Sequence, residues 1–185
     1  MKTRHLLPAL ALAFVMTGAA RAELLFVKVQ GQLTGLLQDW YNPFTTLDDV
    51  ALGDYGQVED FAWSFVSPRD PASGLPTGKR QHRPVTLRLR KSGGVLQLAN
   101  SMANNENLSS VRVRWFDQDP DTGAYTTSQE LYLVNANVSG VSIYTIREPD
   151  GLATYADVTM TYQKIGIEDA TLGLSFEDDW ETPTQ

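Results

Sequence analysis

Three aspartates stand at alternate positions, Asp117, Asp119 and Asp121, in the segment DQDPDTG that ends at Gly123. Carboxylates at that spacing are the opening of a calcium loop. Such a loop of the EF-hand kind also needs Gly at its sixth position and Glu at its twelfth. Counted from Asp117, those positions hold Thr122 and Ser128, and Pro120 stiffens the fourth. The same residues suit the tip of a β-hairpin, where Asp and Pro start a turn and Gly supplies positive φ. A hairpin is therefore the expectation, with Asp117, Asp119 and Asp121 kept as a weak cation candidate.

The remaining chemistry is sparse. The chain contains no cysteine, which excludes disulfides, thiolate zinc sites and a thiol nucleophile. Beyond the first residues there is one histidine, His82, in KRQHRP. A Ser-His-Asp site would need it paired with a serine and a carboxylate. No nucleophile-elbow pattern accompanies it, so a hydrogen-bonding or surface role is expected. Gly93-Gly94 lacks the Lys-Ser or Lys-Thr of a phosphate loop. The acids Glu177, Asp178, Asp179 and Glu181 read as a solvated tail, 177–185, rather than a paired-carboxylate site.

The elements that must position these residues begin after a leader. Lys2, Arg4 and His5 precede an apolar run from Leu6 to Met16, and the small residues TGAARA follow. That pattern predicts a secretory signal peptide over residues 1–22, cut at the Ala20-Arg21-Ala22 site so that the mature chain starts near Glu23. The run falls short of the about 20 apolar residues a membrane span needs. Removing Lys2, Arg4 and Arg21 leaves 12 basic against 22 acidic residues, and the net charge moves from −7 to −10. An acidic domain repels phosphate backbones, which argues against a nucleic-acid partner.

Residues 23–185 read as one domain. Alternation dominates: Val85, Leu87 and Leu89 oppose Thr86, Arg88 and Arg90, and Val111, Val113 and Trp115 oppose Arg112 and Arg114. Val158, Met160 and Tyr162 repeat the pattern, as do Phe61, Trp63 and Phe65. Period two marks half-buried strands. Further strands are expected at 24–30, 129–136, 138–145 and 171–176. The fold class is mainly β, a compact barrel or sandwich of about seven or eight strands. One segment differs. Val95, Leu98, Ala99 and Met102 form a helical stripe, with Ser92 to cap its start and Asn104-Asn105 to end it.

Two long loops stand out. Residues 42–57 are polar and irregular. Residues 67–81, SPRDPASGLPTGKRQ, carry three prolines and two glycines and cannot form a central strand. The arginines Arg88, Arg90, Arg112 and Arg114 all oppose the apolar faces of strands that flank the helix. Were those strands neighbours, four guanidinium groups would gather on one outer face, either solvated or meeting acids of a second copy such as the C-terminal run.

The order of elements resembles the Hcp family, the haemolysin-coregulated tube proteins of type VI secretion. LLFVKVQGQLTG resembles its first strand and glycine turn, and VEDFAWSF its second strand. Residues 67–81 fall where the family carries a protruding loop. HRPVTLRLRKSGGVLQLANSMANNENLSSVRVRWF follows its strand, helix, turn and strand, while LYLVNANVSGVSI and ADVTMTYQKI resemble later strands. The resemblance implies a β-barrel with one helix, without catalysis or cofactor, assembling into stacked six-membered rings with sheath, tip or effector partners. It places the ring contact at the sheet edges and the arginine face, and the contact to the next ring at Pro68, Arg69, Asp70 and Leu75. Two features depart from the family: the insertion 36–56 with its aromatics Trp40, Tyr41 and Phe44, and the leader, since family subunits load from the cytoplasm.

The expectation is a structural, self-associating protein of type VI secretion or an exported relative, secreted or periplasmic, from a bacterium. The alternatives are a monomeric periplasmic or extracellular binding module on the same fold, and a secreted hydrolase that would depend on His82.

Overall fold

A computed structural model describes residues 23–180; the leader with Ala20 and Ala22, and residues 181–185, lie outside the described residues. In chain order the elements are β1 (Glu23–Gly31), β2 (Gly35–Leu36), β3 (Thr46–Leu47), β4 (Val50–Ala51), β5 (Gly56–Ala62), β6 (Phe65–Val66) and β7 (Gln81–His82). β8 (Val85–Arg90), α1 (Gly93–Ala103), β9 (Leu108–Gln118), β10 (Tyr125–Val134), β11 (Asn137–Glu148), β12 (Gly151–Thr161), β13 (Lys164–Asp169) and β14 (Leu174–Asp179) complete it. Seven of the eight expected strands are present with shifted ends, whereas the run Phe61-Trp63-Phe65 is split, because β5 ends at Ala62 and Phe65 starts the exposed β6. The ninth long one, β13, is an alternating KIGIED that sequence reading passed over.

The long strands form one antiparallel sheet in the order β11-β12-β8-β5-β1-β9-β10-β13-β14, with β2 paired to β1. It is open rather than a closed barrel, because β11 and β14 are its two ends. The sheet nevertheless wraps one core. Val138, Val158 and Met160 from one end share a buried cluster with Leu131, Leu133 and Ile165 near the other. The alternating strands supply it: Val85, Leu87 and Leu89 of β8, and Val111 and Val113 of β9, are all buried. Helix α1 adds Val95 and Leu98. Ser92 sits at its N-cap, but the side chain makes no capping bond; Asn105 closes the C-terminal end with φ 48°.

Strand β1 is buried on both faces, which explains its unbroken LLFV. Val27 and Val29 face the main core. Phe26 faces a second cluster with Leu52, Tyr55 and Phe116. The insertion 36–56 builds that second cluster by lying over the outer face of the sheet. Phe44 meets Phe26 edge to face at 5.8 Å. Trp40 packs on the main core, its Nε1 donating to the Leu37 carbonyl at 3.0 Å. Its ring fills the space beside Gly56 and Gly94, where any side chain would collide with it. The aromatics are thus a local staple. Tyr41 is more exposed and carries the Arg90 guanidinium over its ring.

Candidate assembly surfaces

Residues 67–81 form a projecting arm. Its stem is the pairing of β6 with β7, Phe65 opposite His82 and Val66 opposite Gln81, extended by a bridge from Arg69 to Pro76. Prolines deny the arm a full ladder, so side chains close its tip. The Asp70 carboxylate accepts from the Ala72 and Ser73 amides and from the Ser73 hydroxyl. Those bonds hold its pKa below the ordinary value. Arg69 donates to the Gly74 carbonyl at 3.0 Å, and Leu75 is exposed.

The arm is anchored at its base by a buried polar chain that sequence reading did not foresee. The His82 side chain is 4% exposed. Its Nε2 lies 2.9 Å from Asp178 Oδ2 and its Nδ1 3.1 Å from the Tyr162 hydroxyl. A neutral ring satisfies both by donating Nε2–H and accepting at Nδ1. The Tyr162 hydroxyl also accepts from Trp63 Nε1 at 2.6 Å, and burial pushes its pKa up. Arg80 closes the chain by donating to Asp178 Oδ1 at 2.7 Å. Both histidine nitrogens are therefore taken up by internal partners, the geometry of a latch. The acidic run read as a tail is instead β14 through Asp179, with Asp178 buried because it neutralises Arg80 beside His82. Glu177 accepts from Lys164 and from Tyr132, whose pKa is pushed up to about 12 by that bond together with burial. No signal local to residues 177–179 marks Asp178, whose histidine partner is 96 positions away.

The four arginines do not gather. β5 and β1 lie between β8 and β9, so Arg88 and Arg90 are separated from Arg112 and Arg114. Each pair meets acids of its own chain on nearby strands. Arg88 binds Asp157 at 2.9 Å, which raises the arginine pKa and lowers that of the aspartate. Arg90 meets Glu59 and Glu148. Arg112 and Arg114 share Glu130. The error lay in inferring adjacency from the helix between the strands.

Asp117, Asp119 and Asp121 mark a hairpin from β9 to β10. Asp119 Oδ1 accepts the amides of Asp121 and Thr122 at 2.8 Å, and Gly123 has φ 73°. Among the described residues no group of three or more His, Asp or Glu is placed to hold a metal ion.

The two sheet ends are the other exposed surfaces. At one, Leu172, Leu174 and Phe176 are exposed, and Phe176 lies beside Phe65, whose ring stacks between Phe176 at 5.6 Å and His82 at 5.7 Å. At the other, Ile143 and Ile146 of β11 and Leu152 of β12 are exposed. Among the described residues no helix is long and apolar enough to cross a membrane.

Comparison with known proteins gives consistent results. The family model described as "Type VI secretion system effector, Hcp" matches residues 50–168, more than half of the chain. The chain is 33% identical over 138 residues to the "Major exported protein" of Pseudomonas aeruginosa, covering 70% of this chain and 77% of that one. Solved structures share the fold. A crystal structure of an Hcp protein superposes with a TM-score of 0.76 at 24% identity, covering 86% of this chain and all of that one. Secreted protein Hcp3 from Pseudomonas aeruginosa gives 0.68 at 20% identity, covering 87% and 100%.

Proposed function

Since the chain belongs to the Hcp family of type VI secretion, we propose that it is an exported structural subunit whose copies close into a hexameric ring through the two ends of its open sheet. The observation that carries this reading is the pair of unsealed ends. β14 and β11 each have a single strand partner among the described residues, and each end displays large apolar side chains. Free strand edges beside exposed apolar surface invite pairing with another chain. Two different ends meeting head to tail make a heterologous contact, which closes into a ring when the rotation per subunit allows. The arm, with Pro68, Arg69, Asp70 and Leu75, then points to the neighbouring ring. Arg88, Arg90, Arg112 and Arg114, neutralised within the chain, form the ring's charged wall. Sheath, tip and effector proteins are the further partners.

Residues 1–22 act as a signal peptide in this reading, and the mature domain is 23–185. The protein therefore works outside the cytoplasm.

The test is the native mass of protein beginning at Glu23, with electron microscopy of the same sample. Six-subunit rings are expected. A monomer at micromolar concentration would overturn the ring and leave a monomeric binding module, with the arm or the insertion as its contact surface. N-terminal sequencing of exported protein is expected to read Glu-Leu-Leu-Phe.

A further inference from the structure

We infer that the hollow beside Trp180, at the strand ends where the chain passes between the two flanks of the sheet, is a binding site for a neutral, N-acetylated oligosaccharide. The inference goes beyond the ring reading and does not depend on it. Trp180 follows Asp179, the last paired residue of β14, so the hollow lies at the strand ends and not along the free edge of the sheet.

The chain crosses between the flanks twice here. β10 leads to β11 through Asn135 and Ala136, and β12 leads to β13 through Tyr162 and Gln163. β10 and β13 belong to one flank, β11 and β12 to the other. Residues of the two connections, together with Trp180, border a hollow of about 430 Å³, within the range of small-molecule sites.

Its lining differs in chemistry from the rest of the molecule. Asn135, Asn137, Thr161, Tyr162, Gln163 and Trp180 include no charged residue, in a chain that is 20% charged. Trp180 is 53% exposed. An isolated exposed aromatic is ordinary. This one stands in a concave site among carboxamides that are already oriented. Asn107 Nδ2 donates to Asn135 Oδ1 at 3.4 Å, and Asn135 Nδ2 donates to Gln163 Oε1 at 2.7 Å. Asn137 Nδ2 donates to the Glu106 carbonyl at 3.1 Å. A carboxamide has two donor hydrogens and two acceptor lone pairs, so these bonds fix each group and leave part of its capacity to a ligand.

That combination selects a ligand class. An anion finds no cation in this lining to pair with. A purely apolar ligand would cover the carboxamides and leave them unpaired. A sugar meets both demands. Its hydroxyls donate and accept, and the C–H face of its ring lies against the electron-rich face of an indole. An acetamido substituent adds the amide donor and acceptor that match Asn and Gln, and a methyl group for the indole. Trp180 also borders a second hollow of about 440 Å³ at the root of the arm, which gives room for a further sugar; Lys79 and Arg80 on its rim make an acidic peptide the competing ligand.

The test titrates mature full-length protein with chitotetraose, the N-acetylglucosamine tetramer, with maltotetraose and with the peptide Glu-Phe-Glu-Glu, by calorimetry and tryptophan fluorescence. Chitotetraose is expected to bind saturably with a Kd of about 1 mM or tighter. Its affinity is expected to be equal at about 0.05 and 0.5 M salt, because no charges pair. Maltotetraose, which lacks the acetamido groups, is expected to bind at least about tenfold more weakly. Trp180→Ala is expected to weaken chitotetraose binding at least about tenfold, and Trp180→Phe to keep most of the affinity. Thr161→Arg, which fills the hollow from an exposed position, is expected to abolish binding with the unfolding midpoint unchanged, and it carries the test if Trp180→Ala fails to fold. Chitotetraose that shows no saturation by about 10 mM overturns the site, as does binding indifferent to both Trp180→Ala and Thr161→Arg. Equal affinity for maltotetraose, or tighter binding of the acidic peptide, overturns the ligand class.

Discussion

Two stretches of irregular sequence, 36–56 and 67–81, take opposite courses in this fold. Both are polar and broken by proline or glycine. The first lies down on the sheet and makes a second core; the second stands away from it. The difference is apolar content. The first brings Leu37, Trp40, Phe44, Leu47, Val50, Leu52 and Tyr55 to surfaces waiting on β1, β5 and β9. The second has one large apolar side chain at its tip, Leu75, and that one remains 66% exposed. A loop follows its hydrophobic residues if it has enough of them to offset the entropy of ordering its backbone, about 1–2 kcal/mol per residue. Without them, it is ordered only where polar groups hold it, and the arm is held at its base.

Leucines sharpen that contrast because one stands in each segment. Leu52 is fully buried against Phe26 and Phe116. Leu52→Ala is expected to cost about 3–4 kcal/mol, the transfer of the side chain plus the cavity left behind. Urea unfolding followed by tryptophan fluorescence measures it. A loss below about 1 kcal/mol would mean that the insertion is not part of the cooperative core.

The arm's anchor is the next largest effect. Asp178→Asn removes the charge that Arg80 and His82 share, a loss of about 2 kcal/mol, typical of hydrogen bonds to charged groups. The expected signature is regional: cleavage by trypsin at Lys79 and Arg80 accelerates before the body unfolds. Uniform destabilisation with an arm as resistant as before would deny the latch its role.

Much of this architecture is legible from period alone, and the exceptions are instructive. Val85, Leu87 and Leu89, and Val111 and Val113, predict their strands because each lies half-buried over the core. The helix follows from Val95 and Leu98. β13 escaped because Gly166 interrupts a run of six; the missing side chain makes room for the Tyr132 ring, a fact of tertiary packing. Trp40 against Gly94, and His82 against Asp178, are likewise long-range pairs with no local mark. The arginines were placed on the correct face but given the wrong neighbours, because period reports face and says nothing of strand order. The signal peptide and the candidate contact surfaces came from the chain's opening residues and from a family resemblance; solution mass and sequencing decide them.

A smaller, pH-dependent effect tests the turn that enters the insertion. The Glu106 carboxylate is buried, which alone would raise its pKa; bonds from the Thr34 amide, the Ser101 hydroxyl, the Leu33 amide and the Thr34 hydroxyl outweigh this and lower it from the usual 4.5. A lowered folded-state pKa means that the unfolded chain takes up the proton first. The stabilisation is therefore full above about pH 4.5 and falls away as pH drops through the folded value. Glu106→Gln is expected to cost about 1–2 kcal/mol at pH 7 and distinctly less at pH 3, by urea titration at both. An equal cost at both pH values would assign the effect to packing instead of charge.

The smallest expected change is at the other leucine. Leu75→Ala removes as many carbons as Leu52→Ala, yet it should shift stability by no more than about 0.5 kcal/mol, the usual range for an exposed position free of special backbone or charge roles. Identical chemistry in the two segments then differs several-fold in cost through burial alone. The same substitution separates stability from association. If Leu75 meets the neighbouring ring, its truncation weakens stacking while the midpoint of unfolding stays put, because the contact it serves is made between molecules. If unfolding shifts by 2 kcal/mol or more, the tip is packed on its own body, and the arm is no more a projecting element than the insertion is.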